Sequence, residues 1–174
     1  EEAIYAAVER GLFGGMGNRQ FAPNASTNRA MLAKMIANLQ QQLDGDMIIT
    51  GNATLNDVAE SAWYSDVARW AVELGVMDAE NGTFAPDEMI TREEMVTTLW
   101  KFAGFLGENT SVKGNLSRYK DADLVSVEAQ DAMSWAIASG IVGGVSVDEL
   151  APQGTATRAQ MVQVMIRFMD LLQK

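Results

Sequence analysis

One arginine recurs three times in this 174-residue chain, in Asn28-Arg29-Ala30, Thr91-Arg92-Glu93 and Thr157-Arg158-Ala159. The chemistry such a residue offers is anion recognition. A guanidinium is a planar fork of five N–H donors that stays charged at ordinary pH, and it matches the oxygens of a carboxylate or phosphate. In the first turn of a helix it would join free backbone N–H groups and the positive end of the helix dipole. The competing reading is structural: each Arg pairs with an Asp or Glu of a neighbouring unit and fixes register.

Other chemistry is scarce. The chain has no Cys and no His, which removes thiol nucleophiles, disulfides, imidazole bases and the usual zinc or copper ligand sets. Twenty-three acids could supply the carboxylate pair of a glycosidase, but none stands apart from the repeat pattern, so no enzymatic activity and no cofactor are expected. Asp78-Ala79-Glu80-Asn81-Gly82 looks superficially like a calcium loop. Its glycine is one position early and its last ligand position is Met89, so the EF-hand pattern fails and no metal site is expected. The net charge of -10 with 13 scattered basic residues argues against nucleic acid and against an anionic bilayer. No apolar run is long enough to span a membrane, and any export signal is expected outside residues 1–174.

The elements that must position the arginines come in three copies. A helix-ending glycine, then an apolar residue with Ala-Pro, precedes each Arg: Gly11 with Phe21-Ala22-Pro23, Gly75 with Phe84-Ala85-Pro86, and Gly140 with Leu150-Ala151-Pro152. Before the second and third glycines, Trp63, Val67, Trp70, Ala71 and Leu74, and then Ala132, Trp135, Ala136 and Ser139, recur at helical spacing. The first unit keeps only Ile4 to Arg10 of that helix and is expected to be incomplete at its N-terminal side. After each Pro a second helix opens on the Arg motif. Thr91 with Glu94 and Thr157 with Gln160 read as capping boxes. Apolar stripes follow: Leu32, Met35, Ile36 and Leu39; Met95, Val96, Leu99, Trp100 and Phe102; Met161, Val164, Met165, Phe168 and Leu171. The eleven methionines fall mainly on these stripes and read as adaptable core filler. Two linkers, about residues 40–56 and 104–120, are rich in Gly, Asn, Ser and Thr and allow the units to be arranged around an axis. Asp57 and Asp121 reopen the second and third units and read as cap or turn residues.

The order Leu55, Asp57, Trp63-Tyr64, Asp66, Trp70-Ala71, Gly75, Phe84, Pro86, Ile90-Thr91-Arg92-Glu93-Glu94 resembles the S-layer homology (SLH) repeat, in the threefold form typical of that family. The resemblance implies an all-α fold: three helix-loop-helix repeats, 1–43, 55–106 and 119–174, in one pseudo-threefold bundle, a three-pronged spindle. It implies that the chain anchors a bacterial surface protein, noncovalently and extracellularly, to the cell wall. The ligand would be a secondary cell-wall polysaccharide, often pyruvylated, held in grooves between repeats. The absence of cysteine fits such a setting.

On that reading Arg29, Arg92 and Arg158 bind the acid groups. Trp70 and Trp135 either lie against sugar faces or pack in the core. Asp66 and Asp131, four residues before them, either accept sugar hydroxyls or pair with an Arg. Gly15 and Gly144 either let ligand approach backbone N–H groups or serve turn geometry alone. The first repeat departs from the family pattern at Asn28 and Met31, the second at Ala79 in a loop one residue short, and the third at Leu150 and at Gln160, which keeps the cap and drops a charge. The alternative function is a helical-repeat scaffold for a protein partner or S-layer neighbour, which would not need an Arg at every helix start.

Overall fold

Three polar side chains set the helix starts. Asn28 Oδ1 accepts from Met31 N at 2.9 Å, Thr91 Oγ1 from Glu94 N at 3.1 Å, and Thr157 Oγ1 from Gln160 N at 3.2 Å. Each satisfies one of the orphan donors of a helix N-terminus. In the computed structural model, which describes residues 22–173, this begins the long helices α1 (Arg29–Leu43), α3 (Arg92–Phe105) and α5 (Arg158–Leu172). Shorter helices α2 (Ser65–Glu73) and α4 (Gln130–Ala138) lie between them, with two single 3₁₀ turns at Ala122–Leu124 and Val127–Ala129. Among the described residues there is no strand, and no helix is long and apolar enough to cross a membrane. The all-α expectation holds. The short helix expected over Ile4 to Arg10 lies outside the described residues.

The capping-box expectation holds for Thr157 and Gln160, where Gln160 Oε1 also accepts from Thr157 N at 3.0 Å. It holds by half for Thr91, because the Glu94 carboxylate turns away to pair with Arg29. The helix expected to include Trp63 instead starts at Ser65. Trp63 sits in the preceding turn, 62% exposed, with its ring edge-on to Tyr64 at 5.2 Å. Gly75 and Gly140 end α2 and α4 with φ of 76° and 71°, the left-handed stop that a Cβ disfavours.

The repeats close on one another through backbone. Thr27, Ile90 and Ala156 are equivalent residues two positions before each Arg, and all three are fully buried. Ile90 N–H donates to Thr27 O (2.9 Å), Ala156 N–H to Ile90 O (3.0 Å), and Thr27 N–H to Ala156 O (2.9 Å). This cycle of three hydrogen bonds is a pseudo-threefold axis in miniature. Around it the long helices bury most of their stripes: Leu32, Ile36, Met95, Leu99, Phe102, Met161, Met165 and Phe168 are fully buried, while Trp100 and Leu171 are only partly so. The Phe102, Phe168 and Trp135 rings pack with centroids 6.1 and 6.4 Å apart in sequence, within the range of favourable aromatic contact.

Helix packing crosses the repeat boundaries read from sequence. α1 packs on α2 and α3 on α4, so each of these two long helices is partnered by the short helix of the next repeat. The linkers that join them are not loose spacers. A Cβ on Gly51 would lie 2.2 Å from Trp70 N and 2.4 Å from Arg69 C, and one on Gly114 would lie 2.8 Å from Ser134 O. Ser134 Oγ donates to Gly114 O, and Arg69 donates to Ala53 O and Val58 O. Gly51→Ala is therefore expected to destabilise the chain by about 2–4 kcal/mol, since backbone must move away from backbone. Urea denaturation measures this, and an unchanged midpoint would contradict the packed linker.

Candidate functional site: the inter-repeat grooves

Each repeat meets the next at an Arg and a Pro loop. Pro86 and Pro152 follow Ala85 and Ala151, which have φ of 54° and 49°; Ala22, before Pro23, has 47°. An L-residue in that region carries strain and needs outside support. Two carboxylates supply it. Asp57 accepts from Phe84 N (2.8 Å) and Ala85 N (2.7 Å), and Asp121 accepts from Leu150 N and Ala151 N, both at 2.8 Å. Partial burial acts to raise both carboxyls, but the backbone donors outweigh it and hold them below the ordinary range. Asp57 and Asp121, expected as cap or turn residues, clamp the left-handed Ala-Pro loop.

The clamped loop then presents carbonyls to the previous repeat. Arg29 N–H and Ala30 N–H donate to Glu88 O and Pro86 O, Arg92 N–H and Glu93 N–H to Gly154 O and Pro152 O, and Arg158 N–H and Ala159 N–H to Ala25 O and Pro23 O. Together with the capping bonds to the third N–H, these occupy the first-turn donors of all three long helices. The expectation that free backbone N–H groups would assist an anion there is corrected: the next repeat has taken them, because loop carbonyls entering at a helix start find unsatisfied donors.

The guanidinium edges are also partly engaged. Arg29 Nε donates to Phe84 O at 2.7 Å and Arg29 Nη2 to Asp78 O at 2.6 Å. Arg92 repeats this geometry with Nε to Leu150 O at 2.8 Å and Nη2 to Gly143 O at 2.9 Å. Arg158 is equally buried, and its Nη1 lies 3.7 Å from Met31 Sδ. Burial lowers the pKa of all three arginines, and nearby carboxylates oppose the shift at Arg29 (Glu88, Asp78, Asp57) and Arg92 (Asp121). They remain cations at any physiological pH. Arg29 and Arg92 thus each tie two loop carbonyls of the next repeat and line a groove, in which Glu94 takes Arg29 Nη1.

The groove beside Arg92 has a volume of about 410 Å³. It runs between loop residues Val142 to Val145 and the face of α5 that carries Gln160, Gln163 and Arg167. Among the described residues its lining contains two guanidiniums and no carboxylate. Arg167 is exposed and its Nη1 donates to Ile141 O at 3.4 Å. The equivalent groove beside Arg29 is smaller, about 160 Å³, and includes Asp78, Glu93, Glu94, Lys101 and Glu128. There Glu94 pairs with Arg29, and Lys101 Nζ lies 2.7 and 3.0 Å from the Asp78 oxygens. Around the corner a third cavity of about 560 Å³ joins Arg29 to Asp78, Glu80 and Glu88.

The remaining sequence-chosen residues divide. Trp70 and Trp135 are 4% and 1% exposed; both rings belong to the core, and neither presents a face to a groove. Asp66 is exposed on α2, and Asp131 pairs with Lys113 of the linker. Gly144 lines the Arg92 groove. A Cβ there would fall 2.3 Å from Ser146 O and 2.6 Å from Glu149 O, so turn geometry alone demands glycine. Gly15 lies outside the described residues. Sequence reasoning missed Arg167 and Lys101, although each stands nine residues after its repeat's Arg.

The sequence model of the S-layer homology domain matches residues 1–31, 54–96 and 118–162, and the chain belongs to that family. It is 29% identical to a surface-layer 125 kDa protein of Lysinibacillus sphaericus over 98% of its length and 14% of that protein. It is 27% identical to a cellulosome-anchoring protein of Acetivibrio thermocellus, over 95% of this chain and 36% of the other. An amylopullulanase of Thermoanaerobacterium thermosulfurigenes shares 25% identity over 98% of this chain and 9% of its own length. The chain thus spans a small part of the relatives it matches. Family membership assigns it to the cell surface, in association with the wall, as an anchoring module that is not itself catalytic.

Proposed function

We propose that this module anchors its parent protein by binding an acidic, pyruvylated secondary cell-wall polysaccharide in the grooves between repeats. The observation that carries the reading is the Arg92 groove. On a chain of net charge -10, it sets two guanidiniums around open space with no carboxylate among the described residues of its lining. A ketal carboxylate entering beside Arg92 Nη1 and Arg167 would meet charge-assisted donors in a half-buried place, where such bonds are strong. Gln160 and Gln163 supply amides for sugar hydroxyls. One acid group per sugar repeat also suits a repeated protein, because linked weak sites add avidity.

Cosedimentation with cell-wall sacculi stripped of protein separates this reading from a protein-binding scaffold. Pelleting with protein-free walls that retain their polysaccharide is the expected result. Binding that appears only when surface proteins are present on the wall would transfer the function to a protein partner.

A further inference from the structure

The two grooves just described are the same construction with different charges. Gly143 of the Arg92 groove stands where Asp78 stands in the Arg29 groove, as the matching bonds from Arg92 and Arg29 show, and Gln160 and Arg167 stand where Glu94 and Lys101 do, at the same positions along α5 and α3. In the Arg29 groove both cations are answered by the protein itself: Glu94 takes Arg29 and Asp78 takes Lys101. In the Arg92 groove both of those carboxylates are missing from the equivalent positions; its free volume is about 410 Å³, whereas the space at Arg29 is split into about 160 Å³ beside Glu94 and about 560 Å³ lined by Asp78, Glu80 and Glu88.

We infer that the grooves are not interchangeable: Gln160 and Gly143 open the Arg92 groove to an acidic sugar, whereas Glu94 and Asp78 act as built-in competitors that close the Arg29 groove to it. A ligand carboxylate arriving at Arg29 must displace Glu94 and sit among Asp78, Glu93 and Glu128, with like charges around it. At Arg92 it meets no such rival. The inference rests on the acidic-polysaccharide reading and adds to it which groove is used and which residues decide.

Site-resolved NMR titration with a hexoside carrying a single pyruvyl ketal tests it. In the wild type the amide signals of Gly143 and Gly144 should move, and those of Asp78 and Ala79 should not. Gln160→Glu installs the competitor, and it should weaken binding at Gly143 and Gly144 at least tenfold; Thr157 Oγ1 still accepts from the residue-160 N–H, as Thr91 does from Glu94 N–H, so the helix start is kept. Glu94→Gln with Asp78→Asn removes the competitors, and the Asp78 and Ala79 region should then begin to respond. Equal response of both grooves in the wild type, or indifference to these exchanges, overturns the inference while leaving the anchoring function intact. Absence of any response in the wild type and in all variants overturns the saccharide reading and the inference with it.

Discussion

Arg92→Ala will weaken binding of the acidic polymer by about 2–3 kcal/mol, the loss expected when a charge-assisted pair goes from a half-buried groove, and it will lower stability as well. Both effects follow from one side chain with two jobs. Nε and Nη2 hold Leu150 O and Gly143 O of the third repeat, and truncation leaves these carbonyls without their donors. The same side chain lines the groove. Arg167→Gln separates the two roles, because Arg167 is exposed and makes only a long contact to Ile141 O. That variant should bind more weakly with an unchanged thermal midpoint. Calorimetric titration beside thermal denaturation checks the pair. Full binding by a destabilised Arg92→Ala would mean the arginine is a bridge between repeats and nothing more.

Asp121→Ala will be the most damaging change at the loop, about 2–3 kcal/mol, because it removes two bonds to a carboxylate and leaves Ala151 unsupported at a φ of 49°. Asp57→Ala should cost less, since Asp57 is the more exposed of the two. The same clamp predicts an acid limit. Both carboxyls titrate below their ordinary value of 3.8 in the folded chain, so the unfolded chain takes up protons first as pH falls. Their contribution is present in full above that value and is lost as pH drops through the folded pKa values. Urea midpoints of the wild type should fall below about pH 4, with a shallower fall in Asp57→Asn/Asp121→Asn. Parallel curves would remove the clamp from the account.

The helices were legible because apolar spacing, capping residues and stop glycines are local signals. Leu32, Ile36, Met95, Leu99 and Phe168 are buried where their periodicity placed them. The arginines were legible as a repeated landmark, yet not their bonds, because Phe84 O, Leu150 O and the left-handed Ala-Pro loop are properties of a neighbouring repeat. Trp70 and Trp135 show the limit of a sequence stripe: an indole for a core and an indole for a sugar have the same spacing, and only burial tells them apart. The contrast between Glu94 and Gln160 was visible as a lost charge; its consequence required knowing that Glu94 leaves its own helix cap to reach Arg29 across the repeat boundary. Arg167 and Lys101 carried no local signal beyond their shared distance from the motif.

The most direct test of the anchoring account is calorimetric titration of this chain with purified pyruvylated wall polymer and with the same polymer freed of its ketals by mild acid. The account predicts saturable binding to the first and its loss with the second. Equal binding to both polymers would contradict it, since the guanidiniums of the Arg92 groove would then have no carboxylate to recognise.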